Sequence, residues 1–148
     1  MTNHLVVFAK HPVPGEVKTR LLTRYTPVQA AEIYRAFILD TLEASEDLRK
    51  VRSHIAFSPI DAEIVFRDMI SENWCLFPQV GENLGERISG AVSHCLGLGA
   101  TSVVIIGTDI PSLPLHHLEL AFQMLKTKDL VLGPSTDGGY YLVGLARP

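Results

Sequence analysis

Three segments of this chain carry residues whose type and spacing suit phosphate or metal chemistry. In the first, Lys10, Lys18 and Arg20 place three cations within eleven residues, on a stretch stiffened by Pro12 and Pro14. Gly15 lets that backbone take a positive φ or lie close to a ligand. Such a loop offers backbone N–H groups and cationic side chains to a diphosphate. The competing reading is a solvated loop with surface cations. Gly15-x-x-Lys18-Thr19 is not a Walker-type loop, which needs Gly directly before the Lys and a wider Gly spacing.

The second segment is Gly107-Thr108-Asp109-Ile110-Pro111, directly after the apolar run Val103–Ile106. Mg²⁺ and Mn²⁺ take oxygen ligands, and Mg²⁺ commonly binds one or two carboxylates together with substrate phosphates and water. A lone carboxylate at a strand end therefore suffices as an anchor. Alternatively Asp109 caps a helix beginning near Pro111–Pro114, with Ser112 competing for that position. The third segment, Gly133 to Tyr141, contains Asp137-Gly138-Gly139. The paired glycines admit a substrate against the backbone, and Asp137 can bind an acceptor hydroxyl or act as a base. Tyr140 and Tyr141 offer stacking faces and hydroxyls. An ordinary turn followed by packed strand tyrosines is the other reading.

Arg87 is a fourth candidate. It sits in the first turn of a helix introduced by Gln79–Asn83, with Asn83 as N-cap and Glu86 as capping-box partner. From there Arg87 reaches a phosphate, or else forms a surface ion pair. His116 and His117 are adjacent, so a helix points them about 100° apart, which does not suit shared metal binding. No Ser-His-Asp set can be assembled from sequence order.

The elements that must position these residues alternate. Strands are expected over Leu5–Ala9, Ser53–Phe57, Cys75–Phe77, Ser102–Gly107, Leu130–Leu132 and Tyr140–Leu145. Helical periodicity runs through Ala30–Leu42, Asp61–Met69, Leu84–Leu96 and Leu118–Leu125. This is the pattern of a mainly parallel α/β sheet, whose ligands sit beyond the carboxyl ends of the strands. All three irregular segments follow predicted strands. With 148 residues and 47% hydrophobic content, a single domain over 1–148 is expected.

The net charge of −3 gives no broad basic footprint, which argues against nucleic acid as the main partner. No apolar run approaches the roughly 20 residues that span a bilayer. The start lacks the h-region and cleavage pattern of a signal peptide, so a cytoplasmic protein without a membrane partner is expected. Cys75 and Cys95 lie in apolar stretches and read as small buried hydrophobes rather than as metal or disulfide residues.

The run Phe8-Ala9-Lys10-x-Pro12-x-Pro14-Gly15-x-Val17-Lys18-Thr19-Arg20-Leu21 resembles the opening signature of the DUF2064 family, glycosyltransferase-A-like proteins often called radical-SAM/selenodomain-associated or arsenosugar-biosynthesis glycosyltransferases. Further matches follow in order: Tyr34-Arg35-Ala36-Phe37 with Asp40-Thr41, then Gln79 with Asn83-Leu84-Gly85-Glu86-Arg87. Gly107-x-Asp109-x-Pro111-x-Leu113 and Gly133-Pro134-x-x-Asp137-Gly138-Gly139-Tyr140-Tyr141-Leu142-x-Gly144-Leu145 complete the set. These motifs span nearly the whole chain. The resemblance implies a three-layer, mostly parallel mixed sheet of the nucleotide-diphospho-sugar transferase type, with a nucleotide over its carboxyl edge.

It also implies roles. Asp109 stands where the fold keeps its Mg²⁺- or Mn²⁺-binding acid and, with Asp137, is expected to be catalytic. Lys10, Gly15, Lys18 and Arg20 would hold the diphosphate, Arg87 would support the nucleotide, and Gly138, Gly139 and Tyr140 would face the sugar or acceptor. The expected activity is metal-dependent glycosyl transfer from a nucleotide-diphosphate sugar to a small-molecule acceptor. Guanylyltransferase-like nucleotidyl transfer from an NTP, or a non-catalytic relative keeping the fold, are the alternatives. Two departures stand out. Asn83 replaces an expected aspartate, and the sequence stops at Pro148, where relatives continue with further helix and strand. The strand Tyr140–Leu145 is thus expected to lack cover and to favour a homo-oligomer.

Overall fold

The computed structural model describes residues 2–147. Six strands form one sheet in the order β3-β2-β1-β4-β6-β5. Its members are β1 (Asn3–Lys10), β2 (Val51–Ser58), β3 (Trp74–Pro78), β4 (Ser102–Ile106), β5 (Leu130–Pro134) and β6 (Tyr140–Ala146). The first four run parallel, while β6 pairs antiparallel with both β4 and β5. This is the expected α/β fold with a mostly parallel mixed sheet.

The continuous apolar runs of β1 and β4 follow from their place in the middle of the sheet. Strands covered on both faces read as unbroken hydrophobic stretches, and Leu5, Val6, Val7, Val103 and Val104 are fully buried. Helices α1 (Pro27–Ser45), α2 (Glu63–Arg67) and α4 (Leu115–Met124) contribute to the core on one face, around Tyr34, Ile38, Phe66 and Phe122. Helix α3 (Leu84–Gly97) covers the other face through Ala91 and Cys95. Beside it, Leu130 and Leu132 of β5 remain exposed on the flank of the sheet, opposite Leu145 and Val143 in the register.

Local chemistry sets the helix starts. Thr26 and Gln29 form a reciprocal capping box ahead of α1, and Pro27 occupies its first turn. Asn83 caps α3 by accepting the Glu86 N–H at 2.9 Å, as its side chain predicts. The Glu86 carboxylate departs from the expected box, because it takes the N–H of Glu82 at 2.7 Å instead. A 3-10 helix at Thr19–Thr23 had no sequence signal, since so short a turn leaves no apolar period. Helix α2 is shorter than the span predicted from Asp61 to Met69, and β4 ends at Ile106, one residue before Gly107. Among the described residues no helix is long and apolar enough to cross a membrane.

The order β2-β1-β4 creates a switch point. The chain leaves β1 towards β2 on one side, and it leaves β4 towards β6 and β5 on the other. A crevice opens between two such diverging loops at the carboxyl ends of the strands. The loop after β1 carries Lys10 to Lys18, and the loop after β4 carries Asp109.

Candidate active site

The β1 loop is built rather than merely solvated. Val17 is buried in the core and pegs it down, while Gly15 turns the chain at φ +83°. The Lys10 ammonium donates to the Glu16 carbonyl at 3.1 Å, closing the loop on itself. Lys18 leads into the 3-10 helix in the left-handed region, at φ 50°. That conformation is uncommon for a residue with a side chain and marks a constrained position.

The Lys18 ammonium forms an ion pair with the Asp109 carboxylate across the crevice. It also lies 5.6 Å from the centroid of the Tyr34 ring and 5.2 Å from that of Phe37, within cation–π range. Asp109 therefore does not cap the following helix: α4 begins at Leu115 after Pro114, with no side-chain cap. Its carboxylate is 80% exposed and available from the solvent side.

Tyr34 ties the two loops together, and the functional reading of the sequence missed it. Its hydroxyl accepts the Lys10 backbone N–H at 2.9 Å and the Thr108 hydroxyl at 3.3 Å. Burial raises its pKa, with the hydrogen bonds from Thr108 and Lys10 opposing that shift. In the sequence it lay in the apolar period of α1, which reads as core packing, and in the Tyr34-Arg35-Ala36-Phe37 match, to which no role was attached. Thr108, adjacent to Asp109, is itself buried.

The β5–β6 turn completes the far wall. Asp137 accepts from the Ser135 hydroxyl and, at 3.0 Å, from the Gly139 N–H. Gly138 takes φ +89°, as the turn requires. The Ser135 hydroxyl and Gly139 N–H hold the Asp137 carboxyl below its usual range, and the Arg20 charge adds to the effect. Behind this turn Gly133 lies against Tyr141, where a Cβ would come within 2.6 Å of the ring. The Tyr141 hydroxyl meets the His117 ring nitrogen at 3.5 Å.

Asp109, Asp137, Ser135, Tyr140 and Tyr141 line one cleft of about 220 Å³. Pockets for drug-sized ligands hold roughly 300–1,000 Å³, so this cleft encloses only part of a ligand of that size and opens onto the crevice. A hollow of about 840 Å³ at the opposite end of the sheet, around Asn3, Val51 and Trp74, lies at the amino ends of the strands. Ligands of open α/β sheets do not bind there.

Of the residues singled out from the sequence, Lys18, Asp109 and Asp137 converge, and Arg20 acts electrostatically on Asp137. Tyr140 lines the cleft, with Gly138 and Gly139 in the turn beside it. Arg87 is committed locally. Its guanidinium donates to the Gly81 carbonyl at 3.0 Å and to the Gln79 side chain at 3.2 Å, and it makes no ion pair among the described residues. Gln79 in turn donates to the Ala56 carbonyl at 2.8 Å and to Ala9 at 3.4 Å, at the ends of β2 and β1. Arg87 thus braces the β2–β3 side of the carboxyl edge.

No curated protein matches the chain. Among solved structures it is 35% identical to a provisionally assigned nucleotide-diphospho-sugar transferase from Desulfovibrio desulfuricans G20, with a TM-score of 0.91. The alignment covers 99% of this chain and 64% of that one, so the chain spans under two thirds of the relative's length. A 4-diphosphocytidyl-2C-methyl-D-erythritol synthase shares the fold at 14% identity and a TM-score of 0.61, covering 98% of this chain and 75% of that one. A cytidylyltransferase from Leptospira borgpetersenii does so at 12% and 0.57, covering 99% and 60%. The family described as "Uncharacterized protein conserved in bacteria (DUF2064)" matches residues 41–148, and the chain belongs to that family.

Proposed function

We propose that this chain binds a nucleotide-diphosphate sugar with Mg²⁺ or Mn²⁺ over the β1–β4 crevice, as a glycosyltransferase acting on a small-molecule acceptor. One observation carries the reading: Asp109 and Asp137 face the same cleft, with the Lys18 and Arg20 cations around it. The donor set suits a hard divalent cation, which needs one or two protein carboxylates and takes its other ligands from phosphates and water. When bound, that cation would offset the negative charge developing on a departing diphosphate.

The residues divide the work. Asp109 would hold the cation, and Lys18 would exchange the carboxylate for a phosphate oxygen. Lys10, Arg20 and the turn at Gly15 would contact the diphosphate, and Arg87 would support the nucleotide through the Gln79 loop. Gly138, Gly139 and Tyr140 would face the sugar or acceptor. The hydrogen bonds that lower the Asp137 pKa make it a weaker base than a free carboxylate, so they favour its binding a cation or an acceptor hydroxyl. A cytoplasmic setting and self-association through the exposed Leu130 and Leu132 edge belong to the same reading.

The experiment offers the protein UDP- and GDP-sugars, and separately NTPs, with Mn²⁺ and candidate acceptors. Nucleoside diphosphate released from a sugar donor supports the proposal. Pyrophosphate released from an NTP would replace it with nucleotidyl transfer. Neither release, together with no thermal shift from any nucleotide at saturation, would reject both; tight binding should add about 2.7 kcal/mol at a hundredfold excess over Kd.

A further inference from the structure

On the opposite face of the sheet, under α3, two imidazoles interrupt an otherwise apolar layer. His4 of β1 and His54 of β2 are fully buried beside Val6, Ala56, Phe77, Val103 and Ile105. His54 lies two residues beyond Arg52, the register partner of His4, so the two histidines are diagonal neighbours on one face. Their rings stack with centroids 4.9 Å apart, and His54 Nε2 meets His4 Nδ1 at 3.0 Å. Cys95 descends from α3 onto the pair, and the three potential ligand atoms lie within 4.8 Å of one another.

This arrangement is expensive as plain packing. Among the described residues His4 Nε2 and His54 Nδ1 have no hydrogen-bond partner, and each buried polar atom left unpaired costs about 1–3 kcal/mol; a metal on the two facing nitrogens would leave that cost in place and offset it with coordination energy. Aliphatic side chains would fill the same layer without that cost. We infer that His4, His54 and Cys95 form a binding site for a borderline-soft cation of the Zn²⁺ class, joining β1 and β2 to α3.

The geometry is close to what such an ion needs. Two nitrogens bound tetrahedrally to Zn²⁺ at about 2.0–2.1 Å sit roughly 3.3 Å apart, so the facing nitrogens need separate only by a few tenths of an ångström. A thiolate with two imidazoles selects Zn²⁺ over Mg²⁺ or Mn²⁺, which prefer oxygen. The Cys95 thiol would lose its proton to solvent as the metal–sulfur bond forms. Exposed His94 lies on the outer side of the cluster, its ring stacked on Phe77 at 4.1 Å and 6.3 Å from that of His54. Sequence spacing could not reveal this set, because its members come from three separate elements.

The test titrates Co²⁺ and then Zn²⁺ into the chelator-treated full chain. The inference expects one equivalent of Co²⁺ with a thiolate-to-cobalt charge-transfer band, displaced by Zn²⁺, and a rise in melting temperature with Zn²⁺. Cys95→Ala should abolish the band, as should His54→Leu, whereas Asp109→Ala should retain it. Absence of the band in the wild-type protein overturns the inference without reference to any variant's folding. A band that survives Cys95→Ala overturns it equally, by locating the cobalt elsewhere.

Discussion

Lys18 and Asp109, 91 positions apart in sequence, form an ion pair across the crevice between the β1 and β4 loops. In the proposed site this pair keeps each partner's charge balanced until a cation and a diphosphate replace it. Lys18 and a metal therefore compete for the same carboxylate.

Lys18→Met keeps the apolar stem over Tyr34 and Phe37 but removes the charge. Its folding stability should change by under about 1 kcal/mol, because the pair is largely exposed on the Asp109 side. Calorimetry should find that the variant binds free Mn²⁺ several-fold more tightly and the Mn²⁺–nucleotide complex at least about tenfold more weakly, a loss of roughly 1.4 kcal/mol. Both affinities moving in the same direction would contradict the exchange.

Tyr34→Phe removes the acceptor shared by Lys10 N–H and the Thr108 hydroxyl. Leaving such groups unpaired costs about 1–3 kcal/mol. Thermal unfolding should therefore drop by several degrees, at about 2–4 °C per kcal/mol for a domain of this size. Nucleotide affinity should fall as well, because the two loops lose their common tie. An unchanged melting temperature would show that Tyr34 is only packing.

Gly133→Ala should destabilise the protein, because the new Cβ would lie 2.6 Å from the Tyr141 ring. Overpacking of this kind costs about 1–3 kcal/mol. Combining it with Tyr141→Ala should recover most of the loss in a denaturant-unfolding cycle. A loss that persists undiminished would place the strain elsewhere.

His54 connects pH to stability. Burial, followed by the charges of His4, Arg52 and His94, lowers its pKa from 6.5 to about 3, and burial lowers that of His4 as well. The unfolded chain then takes up protons that the native state refuses. The stability that depends on a neutral His54 is present above about pH 6.5 and declines as pH falls towards 3, by up to about 1.4 kcal/mol per unit, and His4 adds to it in the same direction. In chelator-treated protein, urea midpoints at about pH 7.5 and about pH 5.5 should differ more for wild type than for His54→Leu. Equal differences would mean that His54 does not carry the dependence.

The sequence made the sheet legible because strands buried on both faces must be apolar throughout. Val103–Ile106 and Leu5–Ala9 admit no other reading between such turn signals. The three loops were legible because Pro12, Pro14, Gly15 and Gly138 break regular structure where charges collect. Tyr34 was not, since a hydroxyl on an apolar helical stripe looks the same in sequence whether or not loops converge on it. Nor was Arg87, whose spacing gave no sign of the Gln79 and Gly81 contacts that engage it. Cys95 looked like a small hydrophobe because its histidine neighbours lie on β1 and β2, far along the chain.

The most direct test of the proposed site is calorimetric titration of wild type and Asp109→Ala with UDP- and GDP-sugars, each with and without Mn²⁺. The wild-type protein should bind at least one of these donors saturably, with an affinity that Mn²⁺ raises, and Asp109→Ala should lose the Mn²⁺-dependent part while remaining folded. Equal affinity in the two proteins, or binding indifferent to Mn²⁺, would contradict the assignment of Asp109 as the metal anchor.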